Sequence, residues 1–416
     1  MVRLLLGLSL AAIAAALLML AGRHLRSGGH QRAWEARLVQ LRERAAPAAA
    51  RLARGPDADE VRRELRALDR ELAELLGECA LADLDPSGAA TDAELERVRA
   101  QVERARPVLD RWTCQESCAT PPADAPAGSD SWRSLRLRVE PRVRRGERIA
   151  PEALEPASSK TWARALAWRA VLEARAPAED DPDRPRPAEI LSSAFPLLAA
   201  FDNGSFAGAL VRCALEDELL RTARVLVCEH RVPAHQLRAF LDPWLARSLA
   251  VEPRALVEGE LSWFFEHGPG QLEPAKLGLE AVDRLLVHFG SVERTLELAR
   301  LPAPELDRQP RGTESPPLFA TAGTLAISAL HRHRSVLALA RVALAIEEHR
   351  ERTGALPVRI EELADSFVDG LPVDPWTGAP FAWSIENARG RLGPAAGAED
   401  ERDGPTAVER LLAWDL

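Results

Sequence analysis

Hydrophobic positions along the chain fall into blocks stepped by threes and fours, and clusters of proline, glycine and charge separate the blocks. The first block differs from the rest. Leu4 to Ala21 reads LLLGLSLAAIAAALLMLA, without a charge, and a helix of that length rises roughly 27 Å, enough to cross a bilayer. A signal-peptide cut after Ala21 requires a small residue two positions earlier, where Met19 stands, so the expectation is an uncleaved anchor. Arg3 flanks it on one side and Arg23, Arg26 and Arg32 on the other, which runs against a cytoplasmic amino terminus. Short anchors ahead of large domains nevertheless export them. The expected placement is single-pass in the inner membrane with the body in the periplasm.

Three helical stretches follow, with seams suited to a partner helix. Trp34, Leu38, Leu41, Ala45, Ala48 and Leu52 mark the first, which Pro47 should kink. Val61, Leu65, Leu68, Leu72, Leu75 and Cys79 mark the second, with Asp57 as its cap. Leu95, Val98, Val102, Ala105 and Leu109 mark the third, opened by a capping box of Thr91 and Glu94. Short breaks at Gly55-Pro56 and Pro86-Ser87-Gly88 fold these into a coiled-coil-like hairpin or bundle. Residues 113 to 132 read as a linker. Leu135 to Arg145 (LRLRVEPRVRR) alternates apolar and basic residues and is expected to form one edge strand with a solvated arginine face.

Helical spacing then continues over Ser159 to Ala174, Pro187 to Asp202, Phe206 to His230, Ala234 to Ala250, Pro253 to His267, Pro274 to Phe289 and Val292 to Leu301. No consensus recurs at a fixed period, and the tetratricopeptide signature is missing, so this is a loose array of helical hairpins. After a proline-rich linker, Leu318 to Arg352 predicts one long helix, closed by Gly354. The whole reads as a mainly α protein in six regions. These are an N-terminal membrane anchor (1–29), a coiled-coil-like helical bundle (30–112), a linker with a short extended segment (113–157), an α-helical domain (158–301), a linker (302–316), and a long helix plus small α+β module (317–416).

Composition changes this picture little. The 416 residues are 46% hydrophobic and 28% charged, with a net charge of -9, so no global positive field is present to hold nucleic acid. Arginine supplies nearly all positive charge, Lys160 and Lys276 being the two lysines, and tyrosine is absent. That bias looks like a GC-rich genome, which weakens any reading of arginine as a phosphate ligand. Cys79, Cys114, Cys118, Cys213 and Cys228 make an odd set. Cys114 and Cys118 are spaced for a small disulfide loop, for free thiols, or for half of a metal site that lacks a second pair.

Familiar catalytic patterns are absent: no phosphate-binding glycine loop, no Gly-x-Ser-x-Gly elbow, no His-Glu-x-x-His helix. His331 and His333 stand about 200° apart on a helix and so cannot share a metal. Glu229, His230 and His235 flank the Val232-Pro233 turn and read as a capping cluster at a helix end. Trp244, Trp263, Phe264 and Phe265 read as core or interhelical contact, and Asn203-Gly204-Ser205 as a turn. No catalytic, cofactor-binding or metal-binding residue is assigned.

The C-terminal fifth carries a resemblance. HRERTGALP ending a long helix, IEEL, and LPVDPWTGAPF, with Asp374, Pro375, Trp376 and Gly378, resemble the soluble domain of the type II secretion major pseudopilin, with Thr377 as an extra residue. The resemblance implies a spine helix, a short second helix over Ile360 to Ser366, and a small sheet entered at Leu371 to Trp383, with Trp376 covering the spine and the tail folding as a unit. The prepilin cleavage motif of that family is missing from Met1 to Gly22, so a pilus subunit is not implied. Glu399, Asp400, Glu401 and Asp403 stand where the family binds calcium, but without its glycine spacing, and a solvated acidic loop is expected there. Anchor, helical middle (SKTWARALAWRAVLEARA) and tail together resemble a group of membrane-anchored envelope proteins of planctomycetes and related bacteria, which brings no activity with it. The expectation is therefore an envelope scaffold or accessory protein, not an enzyme, working through protein partners and possessing no cofactor. An envelope hydrolase centred on Glu229 and His230 is the alternative.

Overall fold

The computed structural model describes residues 28–50, 56–76, 86, 91–113, 135–145, 147, 149, 156–176, 185–201, 204–267, 291–301, 305, 318–386, 389–393 and 414–415. The anchor Leu4 to Ala21, Cys79, Cys114, Cys118, the linker after residue 113, the helix expected over Pro274 to Phe289 and the acidic loop from Glu399 lie outside these residues.

Within them the protein is mainly helical, as the spacing implies. The helices are α1 (Gly28–Ala49), α2 (Pro56–Leu76), α3 (Asp92–Thr113), α4 (Leu135–Arg144), α5 (Pro156–Arg175), α6 (Pro187–Ser192), α7 (Ala194–Phe201), α8 (Phe206–Cys228), α9 (Ala234–Leu249), α10 (Pro253–His267), α11 (291–298) and α12 (Leu318–Thr353). A 3-10 helix over Ile360–Ser366 and strands β1 (Ala382–Glu386), β2 (Arg389–Gly393) and β3 (Trp414–Asp415) complete it. The strands form one antiparallel sheet in the order β1-β2-β3. Among the described residues no helix is long and apolar enough to cross a membrane.

The chain divides into two compact units: Met1–Leu52, Asn203–Leu210 and Val251–Leu330 make the first, and Ala53–Asp202, Val211–Ala250 and His331–Leu416 the second. In the first, α1 packs on α10, Arg37 pairs with Glu293, and the Arg42 guanidinium lies 5.6 Å from the Phe265 ring centre. Pro47 lies inside α1, two residues from its end. Gly259 permits a close approach, since a Cβ there would meet the Gly204 carbonyl oxygen at 2.4 Å.

The second unit holds the larger core. Trp112 and Trp162 meet edge to face at 6.4 Å, and both indole N–H groups are satisfied inside it, by the Ser193 carbonyl at 2.9 Å and by Asp69 at 3.1 Å. The helix expected over Pro187 to Asp202 is split at Ser193, because Pro196 has no N–H to return to the Ser192 carbonyl. Thr91 and Glu94 exchange the hydrogen bonds of a capping box. Asp57, in contrast, lies inside the first turn of α2 and pairs with Arg142.

Leu135 to Arg145 is a helix, and the edge strand expected there is a misreading of its period. Leu135, Val139 and Val143 are buried, a four-residue step that the alternation of leucine and arginine conceals. Three of its arginines are withdrawn from solvent, Arg138 pairing with Glu64, Arg136 with Glu140 and Glu189, and Arg142 with Asp57 and Glu147, whereas Arg144 and Arg145 are exposed as expected.

α12 ends at Gly354, whose φ of 78° suits a residue without a Cβ and whose N–H returns to the Arg350 carbonyl at 2.8 Å. Beyond it, Asp374 is buried; one carboxylate oxygen accepts from Ser335 Oγ of α12 at 2.5 Å and from the Trp376 N–H at 2.9 Å, the other from Thr377 Oγ1 at 3.0 Å. Trp376 is half-buried, edge-on to His331 at 6.2 Å and beneath Arg332. Trp383 donates to the Pro357 carbonyl at 2.9 Å and lies across Gly390, where any Cβ would collide with the indole.

Candidate functional site

Among the described residues of the second unit, a buried polar network forms between α8, α9 and α12. On α8, Arg212 and Glu216 stand four residues apart on one face, and Arg212 Nε donates to Glu216 Oε1 at 2.7 Å. His333 of α12 reaches the same carboxylate, Nε2 to Oε2 at 2.7 Å, while its Nδ1 meets Asp217 Oδ1 at 2.7 Å. Ser248 of α9 accepts from Arg212 at 2.9 Å and donates to Glu216 at 3.4 Å. Glu216 and His333 are almost wholly buried, and Asp217 is the most exposed member of the network.

Burial opposes the Glu216 charge, yet Arg212 and His333 outweigh it and hold the carboxyl at about 2. Burial likewise opposes the imidazolium, but hydrogen bonds to Asp217 and Glu216 raise His333 to about 9. Both ring nitrogens therefore donate, and the histidine stays protonated at neutral pH. The network fastens α8, α9 and α12 to one another.

Glu229, His230 and His235 do not form one constellation. Glu229 is exposed between Arg175 at 4.0 Å and Arg231 at 3.6 Å. His230 takes a φ of 53° just past the end of α8, and His235 Nδ1 meets Glu351 Oε2 at 3.0 Å. Glu351 also accepts the Ala234 and His235 N–H groups, at 2.5 and 3.3 Å, so a carboxylate from α12 caps α9, where Pro233 offers no capping side chain. Nearby, burial raises the carboxyl of Glu347 against the pull of Arg350 and His230.

His331 and His333 turn to separate partners, Trp376 and the α8 carboxylates. Among the described residues no group of three or more His, Cys, Asp or Glu is disposed to hold a metal ion. Trp244 is buried beneath the Arg144 guanidinium at 5.0 Å, and Trp263 is half-buried. The side chain of Phe264, like Asn203, lies outside the described residues; Gly204 and Ser205 bend the chain, and Ser205 Oγ accepts the Gly208 N–H at 3.0 Å.

The buried network was missed in the sequence. Its one local signal is the Arg212 to Glu216 step; His333 is 117 residues away in the chain, and only the packing of α12 unites them. Comparison with protein-family models, curated proteins and solved structures finds no match.

Proposed function

We propose that the protein is a membrane-anchored envelope scaffold or accessory subunit that acts by binding other proteins, in a secretion or pilus-like assembly, and performs no catalysis. The observation that carries the reading is the surface of the C-terminal region. Val358 (76% exposed), Val368 (103%), Val373 (47%) and Ile385 (42%) present large aliphatic side chains to solvent there. The same region buries Leu363, Phe367, Phe381 and Leu392, so the exposure belongs to a folded surface. Where exposed apolar residues adjoin on a folded surface they mark interaction sites, and these four are the residues offered for one.

The pseudopilin-like reading is supported by the order of elements: a long helix closed at Gly354, the 3-10 helix, the Asp374-centred turn and a small antiparallel sheet. The anchor rests on the composition of Leu4 to Ala21. A photocrosslinker at position 368 of the full chain in intact cells should trap a secretion or pilus component, and the Ile385→Asp variant should abolish the adduct while leaving the melting midpoint unchanged. An adduct that survives Ile385→Asp, or none at all, overturns the reading. Turnover of an envelope substrate lost in Glu229→Gln would replace it with the hydrolase.

A further inference from the structure

Arg247 of α9 is a half-buried charge without an ion pair among the described residues. Its Nη1 is buried and has no hydrogen-bond partner among the described residues. Glu216, the acid whose charge acts on it, is itself engaged by Arg212 and His333. Two further arginines are fastened to its neighbours on α9. Arg144 lies over the ring of Trp244, three residues before it, and Arg212 donates to Ser248, the residue after it. Trp244, Arg247 and Ser248 share one helix face. Burial and the like charges of Arg212 and Arg144 lower the Arg247 guanidinium to about 10, against the weaker pull of Glu216. Arg247 is half-buried, and its sequestered Nη1 is a donor that an incoming anion would satisfy. A guanidinium fork matches the oxygens of a phosphate group.

We propose that Arg247, with Arg212 and Arg144, binds a phosphate-type oxyanion, supplied either as the free ion or as a phosphoester such as a phospholipid headgroup. This goes beyond the scaffold reading and does not depend on it.

The test is a tryptophan-fluorescence melt of the full chain in detergent, titrated with inorganic phosphate or glycerol 3-phosphate against chloride at matched ionic strength. The native chain should show a saturable rise in midpoint, and Arg247→Met, which removes the uncompensated charge, should show none while melting no lower than the native chain without anion. Arg247→Lys retains charge but loses the fork and should weaken the apparent affinity about tenfold. It also serves as the comparison should Arg247→Met fail to fold. Response to phosphate alone assigns the site to the free ion, and an equal or stronger response to glycerol 3-phosphate assigns it to a phosphoester. No saturable response in the native chain, or an equal one in the Arg247 variants, overturns the proposal.

Discussion

His333 shows what a single residue contributes when packing sets its charge. Its pKa rises from 6.5 to about 9 in the folded chain, so the stability it adds is fully present below about pH 6.5 and is lost as pH rises through 9. Glu216 runs the other way: its carboxyl falls from 4.5 to about 2, so its contribution is present above about pH 4.5 and is lost as pH falls toward 2. Together they place the plateau at about pH 4.5 to 6.5. Urea midpoints measured from pH 3 to 10 should decline on both sides of it, and His333→Gln should remove the alkaline decline above pH 6.5. An unchanged alkaline limb in that variant would show that another group governs it. His333→Leu should cost about 3–5 kcal/mol, the usual penalty for leaving one partner of a buried ion pair behind.

At the scale of elements, the carboxylate of Glu351 is a cap supplied from another helix. Glu351→Ala should cost about 1 kcal/mol, the typical loss of an N-terminal cap, and should speed amide exchange in the first turn of α9 more than in its last. Equal exchange along α9 would exclude the capping role. Such contacts mark the boundary of what the chain order makes legible. Thr91 with Glu94, and Gly354 after its helix, could be read directly because cap and helix are adjacent in sequence. The segment from Leu135 was misread because Leu135, Leu137 and Val139 satisfy a period of two as well as Leu135, Val139 and Val143 satisfy a period of four. Only burial against α2 and α7 decides between them. The network at Glu216 and His333 stayed hidden for a related reason, since long-range pairing leaves no spacing to read.

At the scale of the whole molecule, the tail is tied to the helices before it. Leu337, Leu339, Val342, Leu344 and Ile346 of α12 are buried in the same core as Trp112, Trp162, Leu237 and Leu241. Arg238 of α9 pairs with Glu348, donates to the Ser366 carbonyl and lies 4.8 Å from the centre of the Phe367 ring, while Arg341 makes a bidentate pair with Asp242. Five large aliphatic side chains at about 1.5–3 kcal/mol each put on the order of 10 kcal/mol at stake, an upper bound that is still comparable to the net stability of a typical domain. A fragment over residues 317–416, expected from its sequence to fold as a unit, should therefore retain helical circular dichroism but bind a hydrophobic dye and melt without cooperativity. Mixing it with a fragment over residues 53–250 should restore a cooperative transition, since the second unit draws most of its core from those two stretches. A sharp, dye-free melt of the 317–416 fragment alone would show that the interactions of α12 with Arg238, Asp242 and the shared core are dispensable, and that the tail is an independent module.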